Sequence, residues 1–120
     1  MQYLNYLIIT LFFLLIIKRF VPTKGVTNIS TTDLKTALND KNKQFIDVRT
    51  PVEFKGNHIR GFKNIPLQQL SQKAEKELSK GKEVVVICQS GMRSQKASKM
   101  LKNLGFTNVT NVRGGMSAWF

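Results

Sequence analysis

Apolar residues along the chain follow two different patterns. Residues 1–17 carry no charged side chain, and only Gln2, Asn5 and Thr10 interrupt a run that includes Leu7-Ile8-Ile9 and continues from Leu11 to Ile17. A helix that is apolar on every side has no place in a small soluble core, so the run predicts one transmembrane helix over residues 1–21. A cleaved signal peptide fits less well: the charges of Lys18 and Arg19 follow the apolar run instead of preceding it, and no small-residue cleavage site comes after Ile17. Beyond a linker over residues 22–26, short apolar runs of strand type alternate with residues at helical spacing. Strands are expected at residues 26–29, 44–49, 63–65, 84–87 and 108–112. Helices are expected from a Ser30 or Thr31 cap to Leu38, from Pro51 over a short stretch, over residues 67–78, and up to Leu104, where Gly105 provides the C-cap. This alternation predicts a three-layer α/β domain over residues 27–120, with a mostly parallel sheet and right-handed crossovers.

One strand stands apart. Val84-Val85-Val86-Ile87 is four consecutive β-branched residues with no polar alternation, the pattern of a strand buried on both faces, and it ends at Cys88, the single cysteine of the chain. Gln89, Ser90, Gly91, Met92, Arg93 and Ser94 follow, and then a helix with Ala97, Met100, Leu101 and Leu104 on one face. In open α/β sheets, ligands bind beyond the carboxyl ends of the strands, where loop N–H groups and the positive end of the next helix converge. A thiol there is placed for nucleophilic work, because loop N–H groups, the helix N-terminus and Arg93 all favour its thiolate. His58, the only histidine, lies far from Cys88 in sequence and reads as a structural residue of the turn at residues 57–61, which gives a Cys-His dyad little support.

Charge narrows the field of partners. The chain has 19 Lys and Arg against 7 Asp and Glu, a formal charge of +12, or +10 without Lys18 and Arg19. The basic residues are dispersed, with no run longer than two and no nucleic-acid-binding motif, so the excess reads as a solvated surface lying near anionic lipid and not as a nucleic-acid face. With one cysteine no intrachain disulfide can form, which suits a reducing compartment. No cluster of metal-ligand type is present, and neither metal nor cofactor is expected. By the positive-inside rule, Lys18, Arg19 and Lys24 place the domain on the cytoplasmic side of a single-pass protein.

The motif from Cys88 to Ser94 resembles the Cys-x-x-Gly-x-Arg-Ser active loop of rhodanese-like sulfurtransferases. Asp47-Val48-Arg49 with Glu53-Phe54, His58-Ile59 through Asn64-Ile65-Pro66, Leu104-Gly105-Phe106, and Gly114-Gly115-Met116 with Trp119 are similar to other elements of that family, in the same order. Asn57 stands where the family usually has glycine, and Phe62 where it has a small residue. Asn can adopt the left-handed conformation that a glycine turn would use, so this change is mild. Phe62 is expected to find packing space or lie exposed.

The resemblance implies that Cys88 takes a sulfur atom from a small anionic donor such as thiosulfate, holds it as a persulfide and passes it to a thiol, cyanide or protein acceptor. Gln89, Ser90, Gly91, Met92, Arg93 and Ser94 would form the substrate loop. Asp47, Arg49 and Glu53 would order the region around it. A sulfur-carrying or regulatory module without turnover is the alternative. A phosphatase or arsenate reductase is disfavoured, because four residues separate Cys88 from Arg93 where cysteine phosphatases are expected to have five.

Overall fold

The computed structural model describes residues 2–20 and 25–120, with the side chains of residues 18–20 left aside. A five-stranded parallel sheet organises the domain in the order β1-β5-β4-β2-β3, with β1 Val26–Ile29, β2 Gln44–Asp47, β3 Lys63–Asn64, β4 Val84–Ile87 and β5 Val109–Val112. β4 lies at the centre of the sheet, and all four of its side chains are fully buried. Unbroken β-branched sequence predicts that position, since a strand covered by helices on both faces has no need of a polar side. Each such side chain contributes about 1.5–3 kcal/mol relative to exposure.

Two apolar layers flank the sheet. On one face, α4 (Leu67–Glu77) and α5 (Met92–Asn103) bring Leu70, Ala74, Ala97 and Leu101 onto Ile46, Val84, Val86 and Val109. On the other, Leu34 of α2 (Thr31–Ala37) packs with Val85, Ile87, Val112 and Phe62, while Phe54 of α3 (Pro51–Gly56) reaches the edge of the cluster. Odd and even residues of β4 feed opposite layers, as the two-residue period of a strand requires. The Ser30 hydroxyl accepts the N–H of Asp33 and starts α2. Thr50 and Glu53 form a reciprocal capping box around Pro51 and so begin α3.

Both departures from the family pattern are resolved by local packing. Phe62 is 6% exposed and sits against Phe45, ring centroids 5.3 Å apart, within the α2-side cluster. Asn57 does not use the left-handed conformation open to it: its φ of −167° is extended backbone that any residue adopts. Its carbonyl is turned inward, where it accepts a hydrogen bond from Arg49 Nη2.

The expected transmembrane anchor is not shown. Residues 2–20 do form one helix, α1, and its side chains are exposed through Ile17. Among the described residues, however, no helix is long and apolar enough to cross a membrane. Uncharged sequence ends at Ile17, so the charge-free part of α1 covers about 24 Å at 1.5 Å per residue, short of a hydrocarbon core of about 30 Å. Gln2, Asn5 and Thr10 lower its hydropathy further. Val26, where the expected linker and the first expected strand overlap, pairs with Val109 and is the first residue of the sheet.

Candidate active site

Cys88 directly follows β4, and its Sγ accepts the Gly91 N–H at 2.9 Å. The loop turns at Gly91, whose φ of +105° is costly for any residue with a Cβ, and α5 starts at Met92 without a side-chain cap. The uncapped N-terminus leaves the positive end of α5 facing the sulfur. Ser94, fully buried in the first turn, has its Oγ 3.4 Å from the sulfur and donates its own hydrogen to Gly91 O at 3.0 Å. The Cys88 thiol hydrogen therefore points to Ser94 Oγ when the sulfur is protonated. Cys88 has no exposed surface in this state, whereas Ser90 and Met92 of the same loop are exposed.

A second loop clamps the base of the first. Met116 N–H donates to Cys88 O at 2.8 Å, and Ser117 N–H donates to Gln89 O at 2.9 Å. Both belong to the 3-10 turn Gly115–Ala118, which follows β5. The approach is close enough that a Cβ on Gly115 would lie 2.2 Å from Cys88 O. The pair Gly114-Gly115 was visible in the sequence, but its purpose depends on two loops meeting across the sheet and carries no local periodicity. The turn and its clamping role were missed for that reason.

The three supporting residues proposed from sequence fall into two groups. Asp47 and Arg49 form a buried ion pair: Arg49 Nη2 donates to Asp47 Oδ2 at 2.8 Å, and Nε lies 3.1 Å from both carboxylate oxygens. Arg49 also donates through Nη1 to Gln89 Oε1 at 3.3 Å, and Gln89 Nε2 donates to Ser117 Oγ at 3.3 Å. This chain of contacts ties the end of β2 to the cysteine loop and its clamp. Asn64 Nδ2 donates to the carbonyls of Asp47 and Arg49, both at 3.0 Å, and fixes the turn between them.

Glu53 belongs to the other group. Its carboxylate accepts Arg93 Nη1 at 2.7 Å and Nη2 at 3.0 Å while still capping α3 through Thr50. The Arg93 hydrogen bonds hold the Glu53 carboxyl down at about 2, with Thr50 assisting against partial desolvation. Arg93 is pushed up in turn, first by Glu53 and in smaller part by the nearby Cys88 and Asp47. The guanidinium is thus a paired cation, committed to Glu53 at two points. His58 is placed elsewhere: its Nδ1 donates to Phe54 O at 2.8 Å and its ring stacks on Phe54 at 3.9 Å. Its role is structural, as expected, although the partner lies in α3 and not in the turn.

The family model for the rhodanese-like domain matches residues 30–120. Uncharacterized protein YqhL of Bacillus subtilis (strain 168) is 45% identical over 76 residues, which cover 63% of this chain and 60% of that protein. The chain thus spans less than two thirds of the length of this relative. Putative sulfurtransferase YtwF of the same organism is 41% identical over 95 residues, covering 78% of this chain and 90% of YtwF. Other relatives named sulfurtransferases are 33–34% identical. Among solved structures, a rhodanese-like domain protein from Staphylococcus aureus superposes with a TM-score of 0.71 at 33% identity, over 78% of this chain and 91% of that one. A buried strand that ends in a cysteine, a Gly91 turn into an uncapped helix and a family match across nearly the whole sheet lead to one conclusion: the chain belongs to the rhodanese-like domain family.

Proposed function

We propose that this protein is a sulfurtransferase that moves a sulfane sulfur from a donor such as thiosulfate to a thiophilic acceptor through a persulfide on Cys88. The observation that carries the reading is the Gly91 N–H on Cys88 Sγ at 2.9 Å, at the start of an uncapped α5. In the first step the Cys88 thiolate attacks the outer sulfur of thiosulfate. The S–S bond of the donor breaks and sulfite leaves with the bonding pair. In the second step an acceptor nucleophile attacks the outer sulfur of the persulfide, and Cys88 departs as thiolate. Both steps place negative charge at the end of β4, where the N–H group and the helix terminus are already aimed. Since Cys88 is covered in this state, transfer requires the loop to part, and the exposed Ser90 and Met92 are its free portion.

Intact-mass measurement with and without thiosulfate tests the reading. One added sulfur on the wild-type chain and none on Cys88→Ser supports it. A wild-type chain that never gains sulfur under turnover conditions overturns it. A chain that gains sulfur but does not pass it to cyanide or a thiol is a carrier module, the alternative reading.

Localisation is a second part of this proposal. Leu4, Leu7, Ile8, Leu11, Phe12 and Leu15 of α1 are all more than half exposed, so the helix presents apolar surface around its axis with no core of its own to cover it. We infer that α1 attaches the chain to a membrane surface, with Lys18, Arg19 and Lys24 drawn to the anionic cytoplasmic leaflet. Recovery in the membrane fraction after a high-salt wash, with Cys88 protected from an impermeant thiol reagent until cells are opened, is the expected result. A chain released by salt, or labelled in intact cells, contradicts it.

A further inference from the structure

The sheet register sets one cation beside the sulfur. β4 and β5 run parallel, with Val84, Val85 and Val86 opposite Val109, Thr110 and Asn111. Two further steps along each strand bring Cys88 level with Arg113. Both flanking ladders persist to this height: Val48 N–H donates to Ile87 O at 3.0 Å, and Arg113 N–H donates to Ile29 O at 2.9 Å. Adjacent strands lie about 4.8 Å apart, so Arg113 springs from the backbone next to that of Cys88. The two-residue period of a strand also puts Arg113 on the face of Val109, the face that Cys88 shares with Val84 and Val86. A second contact agrees with this placement. Gly114 N lies 3.5 Å from the position a Cβ would take on Gly91, the residue whose N–H donates to Cys88 Sγ.

The other two arginines tied to the cysteine loop are already taken. Arg49 is 3% exposed and bound to Asp47, and Arg93 is held by Glu53 at two points. Arg113 differs from both: it is exposed, and no ion pair among the described residues includes it. The N–H of Gly91 and the start of α5 serve the sulfur itself. They leave the far end of a donor without a partner. When the outer sulfur of thiosulfate meets Cys88 Sγ, its sulfonate oxygens lie one bond further out, beyond the end of β4. A long side chain rooted at the same height of the next strand, on the same face, reaches that position.

We propose that Arg113 binds the sulfonate oxygens of the sulfur donor and so selects small oxyanionic donors for Cys88. This rests on the sulfurtransferase reading above and names the residue that recognises its first substrate. A guanidinium fork offers two parallel N–H donors to two oxygens of one sulfonate, a match of shape as well as charge. The dispersed positive charge of the chain, +12 in all, attracts any anion from a distance, whereas a fork one strand away from the sulfur orients the anion for attack. In the transfer step the Cys88 thiolate attacks the outer sulfur of the donor. The new S–S bond forms on Cys88, the S–S bond of the donor breaks, and sulfite leaves with the bonding pair while its oxygens are still on Arg113. No external oxidant or reductant is needed.

The test uses the full chain in neutral-lipid vesicles, with sulfur loading of Cys88 followed by intact mass across a series of thiosulfate concentrations at constant ionic strength. Arg113→Gln is expected to raise the half-saturating thiosulfate concentration about tenfold, the worth of one charged hydrogen-bonding contact. The maximal loading rate should stay close to that of the wild type, because the exposed side chain takes no part in seating the sulfur. Arg113→Lys should fall between the two, since the charge remains and the fork is lost. Methanethiosulfonate, with one negative charge in place of two, should show a smaller shift than thiosulfate in Arg113→Gln. Lys96→Gln removes another exposed cation, early in α5, and should leave half-saturation near the wild-type value. Unchanged half-saturation in Arg113→Gln overturns the proposal. An equal rise in Lys96→Gln also overturns it, by assigning the effect to the general charge of the domain, and so does a fall in maximal rate alone, by assigning Arg113 to the structure of the loop. A wild-type chain that gains sulfur from neither donor contradicts the sulfurtransferase reading instead. The contact is then read from thiosulfate binding to Cys88→Ser, where tighter binding with Arg113 than with Arg113→Gln supports it and equal dissociation constants overturn it.

Discussion

Arg93 and Glu53 meet across 40 residues of sequence in a two-pronged pair, Nη1 to Oε1 at 2.7 Å and Nη2 to Oε2 at 3.0 Å. The same carboxylate accepts the Thr50 N–H that opens α3. One side chain therefore joins a helix cap to the first turn after the cysteine loop, and the orientation of α3 and of the loop are set together. Arg suits this place where Lys would not, since its planar fork matches a carboxylate at two points.

That pairing predicts an acid-sensitive contribution to stability. The Glu53 carboxyl titrates at about 2 in the folded protein against an ordinary 4.5. A depressed carboxyl stabilises the folded state above its unfolded value and loses that contribution as pH falls through its folded value. Glu53 should therefore support the fold fully above about pH 4.5 and progressively less towards pH 2. Acid unfolding of Glu53→Gln should lack this part of the pH slope, with little change in slope above pH 5. Superimposable slopes for the two proteins between pH 4.5 and 2 would contradict the assignment.

Asp47 and Arg49 predict a larger effect by a different cause. Both are almost completely buried, at 0% and 3% exposure, and a buried ion left without its partner costs about 3–5 kcal/mol. Arg49→Met should destabilise by that amount in urea unfolding and should also loosen the loop, because the contact with Gln89 Oε1 goes with it. The paired variant Asp47→Asn, Arg49→Met removes both charges and is expected to recover part of the loss. No recovery would show that the contacts of Arg49 with Gln89 and Asn57 outweigh the pair.

These residues show how far sequence carries the argument. β4 and the position of Cys88 at its end were legible, because four β-branched residues without polar alternation leave one reading and the cysteine directly follows them. α2 and α3 were legible from Ser30 or Thr31 as a cap and from Pro51 at a helix start; the capping box of Thr50 and Glu53 came only with the structure. The fate of Arg93 was not legible: its partner is remote in sequence, and an arginine next to a nucleophile looks the same whether its charge is free or paired. The local shape at Asn57 was left open, because Asn at a glycine position allows a left-handed turn, whereas the chain runs extended there and uses the carbonyl. The reach of α1 also failed, since an apolar run reports hydropathy while spanning depends on length measured between charges.

Gly115→Ala should be the most damaging small substitution in the chain. A Cβ there would fall 2.2 Å from Cys88 O and 2.9 Å from the carbonyl carbons of Cys88 and Gln89. Backbone atoms cannot swing aside as a lysine tip can, so the clamp must separate from the loop. Overpacking of this kind costs about 1–3 kcal/mol, and the cost falls on the hydrogen bonds that seat the cysteine. Sulfur loading should drop more steeply than stability. A variant that loads sulfur at the wild-type rate would show that the clamp plays no part in placing Cys88.

The Glu53–Arg93 pair also predicts two effects of opposite sign on donor binding. Arg93 lies in the first turn of α5, within five residues of Cys88 in the loop that it follows, so any net charge left at the pair acts on an anion approaching the sulfur. Glu53→Gln removes the carboxylate and leaves an uncompensated guanidinium, which should lower the KM for thiosulfate. Arg93→Ala leaves the carboxylate alone beside the loop and should raise it. At about 4 Å through water a unit charge acts on a neighbouring ion with about 1 kcal/mol, near fivefold in KM, in either direction. Both shifts should shrink as salt screens them, and the double variant Glu53→Gln, Arg93→Ala should fall between the two singles. A steric account of Arg93 predicts otherwise: both single variants would raise KM, since each breaks the same contact, and salt would leave the difference unchanged. Thiosulfate KM values for the wild type and three variants at two ionic strengths decide between charge and shape.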